Sequence, residues 1–369
     1  LEELEETETP TSPMSLRKSW SDRKGPLINS FFTENPKYQP DERALSEAFA
    51  RLGQRIGKLR PLSLESAFKR IPRKTNSGFP FFTSNDEPLP LIYEMAKDVV
   101  AGKVSGRYPY ILSTRTQQSK GWDSEGKTRD IWMAPKVRVA VDGMFTGPIV
   151  ARLARTPTNS AWIGPSAVNA VMTQVLNLRG PFLSSDISGF DQSVSYDLFL
   201  RLYEIKIAAF GEQYRRLLED SRDHIALDGI VTPDGVYHGK VRGLASGNGN
   251  TSLDGTCIQE VVMNYCAIRL GVSLLHLSVM GDDGVLAFDT FPNLDEWAEV
   301  MAEIGFEANA EKQFVHDSAV HYLQNLHMRE YQVGGLNVGV RSVHRMLNRA
   351  SSLERMRQFP PSIAGAMMS

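Results

Sequence analysis

Apolar positions recur at helical spacing in SYDLFLRLYEIKIAAF, where Leu198, Leu202, Ile205 and Ala209 mark one face and Gly211 supplies a stop. A second predicted helix runs from about Thr251 to Leu270 and ends at Gly271. Asn293 followed by Glu296 predicts a capped third helix through Ile304, closed by Gly305. Between them the pattern shortens to strands. PFLSSD, residues 181–186, reads as a strand running into the turn ISGFDQ, and SVMGDDGVLAF, residues 278–288, as a hairpin with Asp282 and Asp283 at its tip. RGLASGNGN is a flexible loop with three glycines leading into the second helix. The order strand, helix, loop, helix, hairpin, helix, strand makes this half of the chain α+β, a small antiparallel sheet flanked by helices.

The upstream half is less regular. Residues 40–180 are mixed and punctuated by Gly and Pro, and residues 1–39, acidic and then rich in Ser, Pro and charge, read as a mobile arm. With 369 residues, 41% hydrophobic and 23% charged, the chain has room for two or three packed subdomains. Starting with Leu, it reads as a piece of a longer protein. Cys257 and Cys266, nine apart in a predicted helix and so about 13 Å apart along its axis, are expected to be reduced core thiols. The most apolar window, 261–280, carries Asn264, Arg269 and His276 and is a poor membrane span, so a soluble, intracellular protein is expected.

A net charge of −2 gives no global argument for nucleic acid. The cations are clustered, however. Residues 51–74 hold eight of them against the single acid Glu65, and a second stretch holds Lys120, Lys127, Arg129, Lys136 and Arg138. Such runs are usually solvated faces and bear on phosphate binding only beside an acidic site. The seven histidines show no metal-ligand spacing.

Asp282 and Asp283 can be ordinary turn residues. A second reading is a divalent metal, since hard cations take carboxylate oxygens and offset the repulsion between neighbouring acids. Asp186, at the end of its strand, is the second carboxylate position this reading needs. If that strand pairs beside the hairpin, Asp186, Asp282 and Asp283 converge on two ions, an arrangement suited to in-line displacement at phosphorus.

On these residues the sequence resembles a viral RNA-dependent RNA polymerase, over about residues 70–330. DISGFD is similar to the family's first palm motif, SGNGNT to its second and MGDDG to its third, in family order; the spread of features is closest to the picobirnavirus and partitivirus group. The resemblance implies a right-hand polymerase: fingers over 40–180 with an insertion around 210–240, palm over 181–330, and a thumb starting at 331 and truncated by 369. It implies two Mg2+ or Mn2+ ions on Asp186, Asp282 and Asp283, with NTPs, an RNA template and its product strand as substrates. Capsid protein would be a further partner, in the host cytoplasm or the virion.

The same resemblance assigns the weaker motifs. KTRDIW places Lys127 and Arg129 on the incoming triphosphate, TNSGFPF places Ser77 and Gly78 at template entry, and AEKQF places Lys312 as the acid that protonates pyrophosphate. HYLQN puts Leu323 and Gln324 at a primer-grip hairpin. Asp191, the second acid of DISGFD, is expected to accept from the ribose 2'-OH, the group that separates ribonucleotides from deoxyribonucleotides. Ser246, Gly247 and Thr251 belong to the nucleotide-admitting loop. Gly255 stands where many relatives carry Asn, so Asn250 or Asp254 is expected to substitute in sugar selection. Phe79, Phe81 and Trp132 are candidate stacking aromatics, a residue type more often found in a core. Two other classes stay open: a two-metal nuclease or phosphohydrolase, and an inactive polymerase-derived RNA-binding virion protein.

Overall fold

Two four-stranded and two two-stranded sheets organise the computed structural model, which describes residues 18–34, 38–73, 75–84, 86–116, 128–308, 313–343 and 346–347. The first sheet joins β1 (Tyr110–Thr116), β2 (Thr128–Met133), β5 (Ile230–Thr232) and β6 (Gly235–Tyr237) in the order β2-β1-β5-β6. Residues from the stretch after Asp186 thus complete a sheet begun 100 residues earlier, with β1 parallel to β5 and antiparallel to β2.

The second sheet holds β3 (Phe182–Ser185), β7 (Leu274–Met280), β8 (Asp283–Phe288) and β10 (Phe314–His316), ordered β10-β3-β8-β7 and antiparallel throughout. Two short pairs flank it, β4 (Ile187–Ser188) with β9 (Glu307–Ala308), and the hairpin of β11 (Ala319–Tyr322) and β12 (Asn325–Met328).

The periodic segments form the expected helices. Tyr196–Phe210 starts at Ser195, whose side chain accepts from the Leu198 amide, and stops at Gly211; Leu294–Glu303 is capped by the Asn293 side chain. Thr251–Leu270 ends on a left-handed Gly271. This helix is buried on almost every side, which is why its apolar residues show little one-sided pattern. It packs with Glu42–Ile56, Tyr196–Phe210 and Leu294–Glu303 in the main core. A smaller core lies on the opposite face of β3 and β8, where Val285 and Ala287 meet the helix Pro165–Leu176 and Tyr322.

Several expectations are corrected. Residues 20–31 of the supposed mobile arm form a helix, Trp20–Phe31, that buries Arg23, Leu27 and Phe31 at four-residue spacing. Its low hydrophobicity and the internal Pro26 hid it, and tertiary contacts hold it instead. The turn ISGFDQ contains β4, a left-handed Gly189 and the short helix Phe190–Ser193. Three cations of the basic run 51–74 are ion-paired: Arg51 with Glu47, Arg55 with the buried Glu260 and Lys69 with Glu65. Arg138 is likewise buried against Asp142. Trp132 is 1% exposed and packs among Phe31 and Tyr110, a core residue and not a template platform. Cys257 and Cys266 are buried free thiols, and no helix among the described residues is long and apolar enough to cross a membrane.

Candidate active site

A cavity of about 850 Å³ is lined by Asp186, Asp191, Ser246 and Asp282, by Arg115 and Arg129, and by Arg23, Leu27 and Phe31 of the helix Trp20–Phe31. Strand register brings the acids together. Ser185 on β3 pairs with Gly284 on β8, so the chain leaves β3 at Asp186 beside the point where the hairpin turn enters β8. Met280 pairs with Asp283, closing a two-residue turn of Gly281 and Asp282 with glycine in the left-handed first position. Helix Thr251–Leu270 fixes that turn: the Gly281 amide donates to Thr256 Oγ1 (2.9 Å), and Gln259 Nε2 donates to the Asp282 carbonyl (2.7 Å). Gln313 Nε2 holds the Asp186 carbonyl at 2.7 Å.

Asp191 opens onto the cavity water yet is walled by protein. That enclosure, together with the charge of Asp282, pushes its carboxyl up to about 6, against the opposing pull of Arg129 and Lys240. Three carboxylates that repel one another across one cavity are the hard-oxygen set that a divalent cation suits. Among the described residues, no three His, Cys, Asp or Glu side chains are grouped closely enough to hold one metal ion between them.

Asp283 departs from the expected trio. It shares strand parity with Val285 and Ala287, which face the smaller core, and its charge helps raise the Tyr322 hydroxyl. It is not among the residues lining the cavity, where Asp191 joins Asp186 and Asp282.

The glycine loop is sewn to β2 and to the short helix Phe190–Ser193. Its Leu244 amide donates to the Asp191 carbonyl (2.7 Å), the Trp132 amide donates to Ser246 Oγ (3.2 Å), and Gly247 bridges Met133. A Cβ on Gly247 would sit 2.1 Å from the Trp132 carbonyl oxygen, so this approach admits only glycine. Thr251 Oγ1 donates to the Ala245 carbonyl, and Asn248 Nδ2 reaches the Tyr110 hydroxyl (2.8 Å) and His224 Nδ1 (3.0 Å). Thr251 and Gly247 therefore shape the loop, and Ser246 is its exposed member in the cavity.

Two substitutes expected for sugar reading are spent elsewhere. Asn250 is 3% exposed, donates to Ser221 Oγ (2.8 Å) and accepts from Thr146; Asp254 is fully buried against Lys206 and Tyr203. Gly255 looks onto Leu244 and Phe190, an apolar wall. Ser77 is also fully buried: its hydroxyl donates to the Thr83 carbonyl (2.9 Å), while Gly78, at φ 71°, lies against the Ala134 carbonyl. These two residues build a loop and do not present themselves to RNA. Leu323 and Gln324 form the tip of the β11–β12 hairpin, both left-handed at φ 52° and 62°, with Gln324 exposed and Leu323 against the smaller core. Lys127 and Lys312 lie outside the described residues.

Sequence reading missed two cations. Arg115 is directly opposite Arg129 on the β1–β2 ribbon, a pairing invisible before the register is known. Lys240 is buried under the loop, donating to the Gly243 (2.6 Å) and Ile225 carbonyls beneath the Trp132 ring, and burial pulls its ammonium down to about 7. A lone lysine in a polar stretch carries no signal of this.

Known proteins share the fold. The potential RNA-dependent RNA polymerase of a human picobirnavirus is 26% identical over 96% of this chain and 68% of its own length; the RNA-directed RNA polymerase of Cryptosporidium parvum virus 1 is 22% identical over 85% and 66%. The crystal structure of an insertion-loop deletion mutant of a human picobirnavirus RNA-dependent RNA polymerase superposes with a TM-score of 0.83 at 25% identity, covering 100% of this chain and 74% of that one. Residues 54–332 match the family described as viral RNA-dependent RNA polymerase, and that span contains both sheets, the cavity acids and the arginine ribbon. The chain belongs to the viral RNA-dependent RNA polymerases, enzymes of template-directed RNA synthesis from NTPs.

Proposed function

We propose that Asp186 and Asp282 are the principal ligands of two divalent ions, Mg2+ or Mn2+. Such ions, when bound, lower the pKa of the attacking hydroxyl and neutralise the leaving pyrophosphate. In the reaction, the RNA 3'-oxygen bonds to the α-phosphorus of an NTP, the bond to the β-phosphate oxygen breaks, and the hydroxyl proton leaves to solvent.

The chain's own residues position the reactants. Arg115 and Arg129 meet the triphosphate from the ribbon. Asp191 accepts from the ribose 2'-OH, and Ser246 Oγ, already an acceptor for the Trp132 amide, offers its own O–H to the sugar. The exposed hairpin tip at Leu323 and Gln324 steadies the product strand, and Lys312 stays the proposed proton donor to pyrophosphate. We assign fingers to 40–180 with 210–240, palm to 181–330, and the thumb from 331, with capsid protein as a partner in the host cytoplasm or virion.

The observation that carries this reading is one cavity lined by Asp186 and Asp282 together with Arg115 and Arg129. Its test is incorporation of labelled NTPs on a single-stranded RNA template with Mg2+ or Mn2+, comparing the chain with Asp282→Ala. Template-dependent product that falls more than about a hundredfold in the variant is expected. Shortened template in place of product would overturn the reading in favour of a nuclease.

A further inference from the structure

The helix Trp20–Phe31 crosses one face of the β2-β1-β5-β6 sheet. At one side its Lys24 pairs with Asp234 in the β5–β6 turn (2.6 Å), and Trp20 meets Tyr237 on β6. At the other side it grips β2 residue by residue. The Lys18 amide donates to Thr128 Oγ1 (3.0 Å), Arg23 pairs with Asp130, and Phe31 packs on Trp132 with ring centroids 4.9 Å apart.

Thr128, Asp130 and Trp132 are alternate residues of one strand and so share a face, while Arg129 and its partner Arg115 belong to the other. β2 is an edge strand, hydrogen-bonded along its length to β1 alone. The helix therefore braces the Thr128–Asp130–Trp132 face of the ribbon and with Arg23 lines the same cavity, while the two arginines belong to the alternate face of the ribbon. The contacts are unequal. Lys24 and Asp234 are 44% and 36% exposed, whereas Arg23 and Asp130 are 9% and 19% exposed, so the second pair is the one that constrains geometry.

Asp130 also lines the same cavity as Arg129. Released from Arg23, its carboxylate would be an acid one residue from a guanidinium needed for phosphate, able to compete for it. Arg23 thus keeps a neighbouring negative charge occupied.

We propose that the helix Trp20–Phe31 is a strap on the triphosphate-gripping ribbon, in which Arg23 is a positioning residue that holds Asp130 away from Arg129. This inference rests on the polymerase reading above. It adds to that reading a segment outside the 54–332 family match.

The test compares the full chain with Arg23→Ala and with Arg23→Ala/Asp130→Ala, measuring KM for NTP, kcat, template RNA affinity and Tm. Arg23→Ala raises KM about tenfold, equivalent to about 1.4 kcal/mol of binding, with kcat and RNA affinity changed less than about twofold. The double variant recovers to within roughly threefold of wild type, because the competing carboxylate is gone. A merely structural ion pair predicts the opposite: the contact is lost in both, so the double variant is as impaired as the single one, with KM raised while kcat and Tm fall together. That outcome, or an unchanged KM in Arg23→Ala, overturns the proposal. A wild-type chain without template-dependent incorporation would instead count against the polymerase reading. The strap is then judged by equilibrium titration of a fluorescent GTP analogue into the same three proteins, where the same order of affinities is required.

Discussion

Arg115 on β1 and Arg129 on β2 are direct cross-strand partners, two like charges side by side at the mouth of an acid-lined cavity. Facing like charges destabilise a ribbon unless a polyanion comes between them. Arg115→Ala is therefore expected to raise KM for NTP about as much as Arg129→Ala, roughly tenfold each, while thermal stability holds or rises slightly. Steady-state incorporation at varied NTP and a melting curve check both halves; an Arg115→Ala enzyme with wild-type KM would remove Arg115 from nucleotide binding.

Asp191 lines the cavity together with Asp186 and Asp282, and its backbone carbonyl ties down the glycine loop. Replacing it by Ala removes an acceptor matched to a hydroxyl, so preference for NTP over dNTP is expected to fall about 10-fold to 100-fold. Competition between GTP and dGTP on one RNA template measures this. A preference that stays at the wild-type ratio would show that the sugar is read elsewhere.

Gly247 leaves no room for a side chain against the Trp132 carbonyl. Gly247→Ala must push the loop off β2, breaking the Ser246 contact with the Trp132 amide, and is expected to cut kcat/KM more than about tenfold at a stability cost of about 1–3 kcal/mol. Activity and denaturant unfolding are the two measurements, and an active, unshifted variant would contradict the close approach.

Two histidines set an acid limit on stability. Burial pulls His224 well below its ordinary value and His276 to about 4. Their folded pKa values are depressed, so the unfolded chain binds the extra protons. The stability they contribute is present above the unfolded value near 6.5 and is lost as pH falls toward their folded values. Tm is expected to drop on the order of 5 °C between pH 7 and pH 5, and His276→Asn should flatten part of that slope. A Tm independent of pH across this range would refute the burial argument.

The legible parts of this molecule were those written locally. Adjacent acids between apolar runs, an N-cap three residues before an acid, and helical spacing ended by glycine all sit within one short window, and the corresponding turn and helices follow from them. What failed to show depends on register or burial. Asp283 faces away from the cavity because strand parity sends it with Val285, and Ser77, Asn250 and Asp254 are consumed by buried partners no spacing reveals. Arg115 gains its place only when β1 pairs with β2, and the helix Trp20–Phe31 is stable through contacts made more than 100 residues away.

The helix Thr251–Leu270 touches the catalytic region at both ends of a short interval. Thr251 holds the Ala245 carbonyl of the glycine loop, and Thr256 and Gln259, one and two turns further on, hold Gly281 and Asp282. A buried helix transmits displacement with little compression, so the loop that receives a nucleotide and the turn that carries the acid are mounted on a common rod. A displacement of the loop is therefore expected to reach the turn of Gly281 and Asp282 through this one helix.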